Sequence, residues 1–205
     1  MAFLYDNFMK TINTLGLPNL THPIFYSFPI GIRFEIGGKQ EIYSENGDAN
    51  PEYISAAFAR AKNIYDSIFT PNILRIDVFT ENKDFLNELG MPSPLEVIHD
   101  CITEDDDIYY VEHLYWDLSL QHIDINHLLL EIIKADIGGF NELASTVFLL
   151  DTENIAMYHL YDDRGLDVVA KDKEYLMPLY QKFNEWIFDY DRKSIDNTFN
   201  PEKWI

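Results

Sequence analysis

Apolar residues recur along this chain at two different periods. Phe3, Leu4, Phe8, Ile12 and Leu15 fall at helical spacing, and the two prolines of LPNLTHP end that pattern. Ile30, Ile32, Phe34 and Ile36 then alternate with Gly31, Arg33, Glu35 and Gly37, the period of a half-buried strand. Asn50 before Pro51 reads as an N-cap with proline at the first helical position. Behind it Ile54, Ala57, Phe58, Ala61, Ile64, Tyr65 and Ile68 form one stripe, predicting a helix that runs to about Phe69. ILRIDVFT predicts a second strand, with Leu74, Ile76 and Val78 on one side and Arg75 and Asp77 on the other.

Residues 81–107 show no clear period: GMPSP reads as a loop and TEDDD as a solvated acidic run. IYYVEHLYWDL predicts a long aromatic strand. Asp124 is placed to cap a helix through INHLLLEIIKADIGG, with Ile125, Leu128, Leu129, Ile132 and Ile133 as its apolar face and Gly138 or Gly139 as its stop. STVFLL, IAMYHLY and LDVVA predict three short strands. Asp172 looks like a cap, but Pro178 would break or kink a regular helix begun there. The expectation is a turn over 172–176 and a helix from Pro178, with Leu179, Phe183, Trp186, Ile187 and Tyr190 facing the core and the tail 193–205 loosely ordered except where Trp204 and Ile205 pin it. The succession predicts an α+β protein: a largely antiparallel sheet of about six strands with helices packed on one side. It reads as a single domain over 1–205, with 104–107 as a point of subdivision.

HLYDDRGLDVV, residues 159–169, is the densest polar stretch. Flanked by strands, Asp162-Asp163-Arg164-Gly165 reads as a type I turn with Gly165 at positive φ forming a bulge and Asp162 opposite Leu166. Leu160, Tyr158 and Ala156 then share a face with Leu166, Val168 and Ala170, and Tyr161, His159 and Met157 share the other with Asp167 and Val169. The turn explains the glycine and the first aspartate only.

Composition narrows the function classes. Acidic residues outnumber Lys and Arg 35 to 15, a net charge of −20 that repels phosphate backbones and argues against ordinary nucleic-acid binding. It fits a chain kept soluble by its own charge, or one whose partner is a basic protein. A single cysteine, Cys101, excludes an internal disulfide and cysteine-rich zinc motifs. No apolar run reaches membrane-spanning length, and MAFLYDNFMK has an acid where a secretory leader has bases. A cytoplasmic location without membrane association is the expectation.

PIGIRFEIG, YHLYDDRGLDVVAKDKE and PLYQKFNEWIFDYDR together resemble a bacterial family catalogued as domain of unknown function 3885, common in Gram-positive bacteria. The resemblance spans most of the chain and is strongest over about 145–195. It implies a bacterial cytoplasmic protein and brings no activity or catalytic residue with it.

The candidate binding residues are Arg33, Glu35, Arg75, Asp77, His159, Tyr161, Asp163, Arg164 and Asp167, expected on one polar sheet face opposite the helices. Simple cross-strand pairing is the plainer reading of the same residues. GxSxG, Walker and GxGxxG motifs are absent from the sequence, so no cofactor is expected. QHIDINH holds His122, Asp124 and His127, but the five-residue spacing of its histidines does not align them on one helical face, so no metal site is expected either. The leading functional expectation is a protein-binding or neutralising, immunity-like module facing a basic partner. The alternatives are a small-molecule enzyme or ligand-binding protein using the polar face, and a nucleic-acid mimic. The last ranks lowest because the acids lie along the whole chain.

Overall fold

The IGIRFEI alternation becomes strand β1 (Gly31–Glu35), with Ile32 and Phe34 fully buried on one face. A computed structural model describes residues 3–16, 20, 22–79, 84–104 and 107–204. Most of the LPNLTHP break, Asp105 and Asp106 of the acidic run, and Ile205 fall outside the described residues. Helix α1 (Leu4–Leu15) precedes β1. Helix α2 (Pro51–Ile68) follows it, capped as the sequence predicts by Asn50, whose side chain accepts from Glu52 N. Then come β2 (Ile73–Phe79), α3 (Asp84–Glu88), β3 (Glu96–Glu104), β4 (Asp107–Asp117), α4 (Ile125–Lys134), β5 (Val147–Asp151), β6 (Ala156–Leu160), β7 (Gly165–Ala170), α5 (Lys173–Lys182) and α6 (Arg192–Phe199). Asp124 caps α4 by accepting from His127 N.

The strands form one open sheet in the order β1-β7-β6-β5-β2-β4-β3, every neighbour antiparallel. The fold is therefore α+β, with seven strands rather than six. The extra one is β3, an edge strand on which Val97, His99, Asp100 and Cys101 are exposed. It lacks the alternation that burial of one face imposes, which is why residues 81–107 read as irregular. Of the acidic run 104–107, Glu104 ends β3 opposite Asp107 at the start of β4.

Ile32, Phe34, Leu74, Ile76, Leu114, Trp116, Tyr158, Leu160, Leu166 and Val168 face a core to which α2 through α6 contribute. Helix α1 departs from the expectation of helices on one side. Its stripe Phe8, Ile12 and Leu15 covers the second sheet face against Ile73, Tyr115, Phe148, Leu150, Met157 and Val169. A short 3-10 turn, Ile24–Tyr26, joins it there.

Two expectations for the C-terminus are corrected. Helix α5 runs continuously through Pro178, because Leu176, Leu179 and Tyr180 all bury at helical spacing and tertiary packing outweighs one lost backbone bond. It ends at Lys182, so Tyr190 lies outside it and is 83% exposed. The tail is not loose: α6 buries Ile195 and Phe199, and Asp196 accepts from Tyr180 Oη at 2.7 Å and pairs with Lys203 Nζ at 2.7 Å.

At the β6–β7 turn the face assignment holds and the register shifts by two residues. Leu160, not Asp162, lies opposite Leu166, so Asp162, Asp163 and Arg164 form the loop between Tyr161 and Gly165. Pattern fixes register only to within an even step, since a two-residue shift keeps every side chain on its face. The Asp162 carboxylate closes the shorter loop by accepting from Arg164 N at 2.8 Å. Gly165 does not take a left-handed conformation. It is required sterically, because a Cβ there would collide with the Tyr161 ring and lie 3.0 Å from the Phe34 carbonyl oxygen. Gly165→Ala should therefore destabilise the chain by about 1–3 kcal/mol, read as a lowered urea midpoint. An unchanged midpoint would show that the Tyr161 ring moves aside freely.

Candidate functional site

The sheet register brings most of the candidate residues onto one face. Arg33 lies opposite Asp167 and Asp167 opposite His159; beyond the Phe148 ring, Arg75 lies opposite Tyr115 and Tyr115 opposite Glu96. The row is continuous, but it is not an open binding face. Arg33, Arg75, His159 and Asp167 are buried, because α1 and the 24–26 turn roof them over. Tyr161 is half-buried, while Glu35 and Arg164 are exposed.

One end of the row is an ion-pair network. Arg33 Nε donates to Asp167 Oδ1 at 3.0 Å, and Phe25 N donates to Asp167 Oδ2 at 3.0 Å. Arg33 Nη1 donates to Tyr26 Oη at 3.1 Å, and that hydroxyl donates to Asp191 at 3.0 Å. The guanidinium also lies over the Tyr26 and Tyr161 rings. Burial pushes the Asp167 carboxyl up to about 6, with Arg33 and the Phe25 amide opposing it. Arg33–Asp167 is a cross-strand pair, as the plainer reading has it.

In the middle lies His159, stacked on Phe148 at 4.4 Å between centroids. Its Nδ1 faces the Val147 carbonyl at 2.8 Å and so carries the proton, leaving Nε2 to accept from His22 Nδ1 at 3.1 Å. Burial drives its pKa down to about 3.

The other end joins Arg75, Asp77 and His113. Arg75 grips Asp77 on its own strand with Nε to Oδ1 at 2.6 Å and Nη2 to Oδ2 at 2.8 Å. Phe8, Tyr115 and Phe148 flank the guanidinium. His113 Nδ1 lies 2.7 Å from Asp77 Oδ1. Arg75 Nη2 also lies 2.9 Å from that Nδ1, and His113 Nε2 lies 3.5 Å from Asp100 Oδ2, so the ring is set among a guanidinium and two carboxylates. Burial works against the Asp77 charge, but the bonds from His113 and Arg75 outweigh it and hold the carboxyl below its ordinary value.

Asp163 and Arg164 belong elsewhere. Asp163 accepts from Tyr53 Oη of α2 at 2.6 Å, in the opposite layer. Arg164 bonds Asp162, and its Nη2 reaches Asp136 at 3.2 Å. Asp136, Asp162 and Asp163 could bring three carboxylate oxygens close together, but the arginine already holds two of the three.

Periodicity overlooked the surface at the far end of the sheet. Beyond Phe79, where β2 stops, β4 continues through Ile108, Tyr109 and Tyr110 paired only with β3 among the described residues. This two-stranded ribbon exposes Ile108 (59%) and Tyr110 (66%) on one face, and Tyr109 against Phe79 on the other. The outer edge of β3 pairs with no strand among the described residues, whereas β1 at the opposite edge is closed by Ile187 and Phe188. The charge is equally uneven. Residues 84–133 hold twelve of the chain's 35 acidic residues and none of its 15 Lys and Arg. That gap in basic residues was the available signal, while the acids themselves lie along the whole chain.

These features define an α+β protein on one open antiparallel sheet, with a roofed polar network and an acidic, aromatic free edge. The chain belongs to the family described as Domain of unknown function (DUF3885), whose model matches residues 8–191. It is similar to the uncharacterized protein YnaE of Bacillus subtilis (strain 168), with 33% identity over 57 residues covering 28% of this chain and 27% of the relative. No solved structure matches it. Among the described residues, no helix is long and apolar enough to cross a membrane.

Proposed function

We propose that this chain is a protein-binding module that takes a basic partner on the β3–β4 ribbon. The supporting observation is the coincidence, at one end of the sheet, of a β3 edge unpaired among the described residues, exposed Ile108 and Tyr110, and two strands, β3 and β4, that carry no Lys or Arg. An open edge offers unpaired backbone groups to an extended segment, and exposed aromatics supply the contact area. The acidic field steers a basic protein in and rejects acidic ones. A neutralising, immunity-like role against a basic toxin is the biological setting that this surface fits. The buried Arg33–Asp167 and Arg75–Asp77 pairs act in this reading as supports for the sheet.

The test is affinity capture with the wild type and an Ile108→Lys/Tyr110→Lys variant. Both positions are exposed, so the variant should keep its circular dichroism spectrum and Tm. A basic protein should bind wild type directly, lose about tenfold or more in affinity to the variant, and weaken as salt rises from about 50 to about 300 mM. A partner that holds the variant equally well, or ignores salt, would overturn the proposal.

A further inference from the structure

Beside α1, the second sheet face holds a cavity of about 460 Å³, within the size range of small-ligand sites. Phe8, Met9, Phe79, Ile98, Val111 and Phe148 form its apolar wall. Each charged side chain that lines it already has a partner. Arg75 holds Asp77 through two hydrogen bonds. His113 sits between Asp77 and Asp100, with Arg75 Nη2 2.9 Å from its Nδ1. Asp100 Oδ1 accepts from Cys101 N at 2.7 Å. A charged ligand entering here would give up hydration and meet no unpartnered counter-charge.

Two polar groups on the lining are uncommitted. The first is His22, exposed at the rim. His159 Nδ1 donates to the Val147 carbonyl, so His159 Nε2 accepts and His22 Nδ1 carries the shared proton. Burial, aided by the Arg33 charge and opposed by Asp162, lowers the His22 pKa from its ordinary value near 6.5, so the ring is neutral at neutral pH. Its Nε2 is then bare, and nothing among the described residues donates to it. The second is Ser145, held at φ 62°, a left-handed conformation that few non-glycine residues adopt. Its hydroxyl bonds no partner among the described residues. Ser145 N donates to Tyr161 O at 2.8 Å and the His22 ring packs 4.9 Å from the Tyr161 ring, so both groups lie against Tyr161.

We propose that this cavity binds a small uncharged phenol or aromatic alcohol, its hydroxyl bonded to His22 Nε2 and Ser145 Oγ and its ring against Phe8, Phe79 and Phe148. A hydroxyl is both donor and acceptor, which a bare imidazole nitrogen and a serine hydroxyl complement. The aromatic wall takes the apolar body. The hydroxyl supplies the selectivity, because a ligand without one leaves the imidazole nitrogen unpaired once water is expelled. The left-handed backbone at Ser145 is the kind of local strain that concentrates at ligand sites. His159 is a positioning residue here: buried and neutral, it holds His22 by Nδ1 and leaves Nε2 on the far side of the ring. This site is independent of the outer edge of β3. It takes up the small-molecule alternative as binding alone, with no reaction assigned.

The experiment titrates the full chain at neutral pH with p-cresol, toluene, benzylamine and phenylacetate, reading heat by calorimetry and the His22 ring nitrogens by NMR. p-Cresol should saturate and shift the His22 Nε2 resonance. Toluene, which matches its shape without the hydroxyl, should bind about tenfold more weakly, and the two charged compounds more weakly still. His22→Asn keeps a donor at the position of Nδ1 and removes Nε2. It should bring p-cresol down to the level of toluene while toluene affinity and Tm stay as in wild type. Ser145→Gly, suited to a positive φ, should remove part of the same advantage. The proposal is overturned if toluene or either charged compound binds as tightly as p-cresol, if p-cresol fails to bind or leaves the His22 Nε2 resonance unmoved, or if His22→Asn keeps the full preference for p-cresol.

Discussion

Replacing Asp167 with alanine should lower the unfolding free energy by about 3–5 kcal/mol. Asp167 is fully buried, and its two carboxylate oxygens satisfy Arg33 Nε and Phe25 N. Removing it leaves the buried guanidinium with Asp191, 3.5 Å away, as its remaining carboxylate, and it frees the turn at Ile24–Tyr26 that roofs this end of the sheet. The cost is the loss of the nearer of the two carboxylates that balance this buried charge, together with the lost contacts. The double variant Arg33→Met/Asp167→Leu should therefore recover a large part of the loss. Urea denaturation of wild type, both single variants and the double variant measures this directly. A single Asp167→Ala variant within about 1 kcal/mol of wild type would show that water reaches Arg33 and that the network is not the clamp described here.

The second large effect is a pH dependence centred on His159. In the unfolded chain its imidazole titrates near 6.5, whereas burial drives the folded value down to about 3. Between these values the unfolded state binds a proton that the native state does not, so stability rises with pH and falls on acidification. The slope is about 1.4 kcal/mol per pH unit for this one group. Asp167 acts in the opposite sense. Its folded value, raised by burial to about 6, exceeds the unfolded value near 3.9, so the native state holds the extra proton between them and stability falls there as pH rises. The two slopes overlap, which makes the wild-type curve alone ambiguous. The difference between wild type and His159→Gln isolates the histidine. The variant should show a stability curve between about pH 4 and 6 without the His159 slope. Parallel curves would mean that His159 is accessible to protons in the folded state.

The charge pattern and the apolar pattern carry different information about this protein. Apolar periodicity identified β1, β2, α2 and α4, with the Asn50 and Asp124 caps, because each rests on a local relation within a few residues. The faces of β6 and β7 were legible for the same reason, although their register was not. Leu160 rather than Asp162 faces Leu166 because the Asp162 side chain closes a shorter loop, a choice invisible to a two-residue period. Strand β3 was hidden because an exposed edge imposes no alternation. His113 went unchosen among the candidates although it lies on the same strand face as Tyr115 and Val111. Its role depends on Asp77 facing it across β2 and β4.

By itself the sequence determined the α+β class, the net charge, most of the elements, and which residues share a polar sheet face. These follow from spacing and composition, which survive any arrangement of the elements in space. Tertiary structure decided that α1 crosses to the second face, that the polar row is roofed instead of presented, and that Pro178 lies inside a helix. It also placed β3 and β4, which carry no Lys or Arg, at the side of the sheet where β3 is the edge. The physical reason is common to all four: they depend on which surfaces meet over long sequence separations, where burial outweighs local preference. A helix stripe such as Phe8, Ile12 and Leu15 states that it must be covered and does not name its partner.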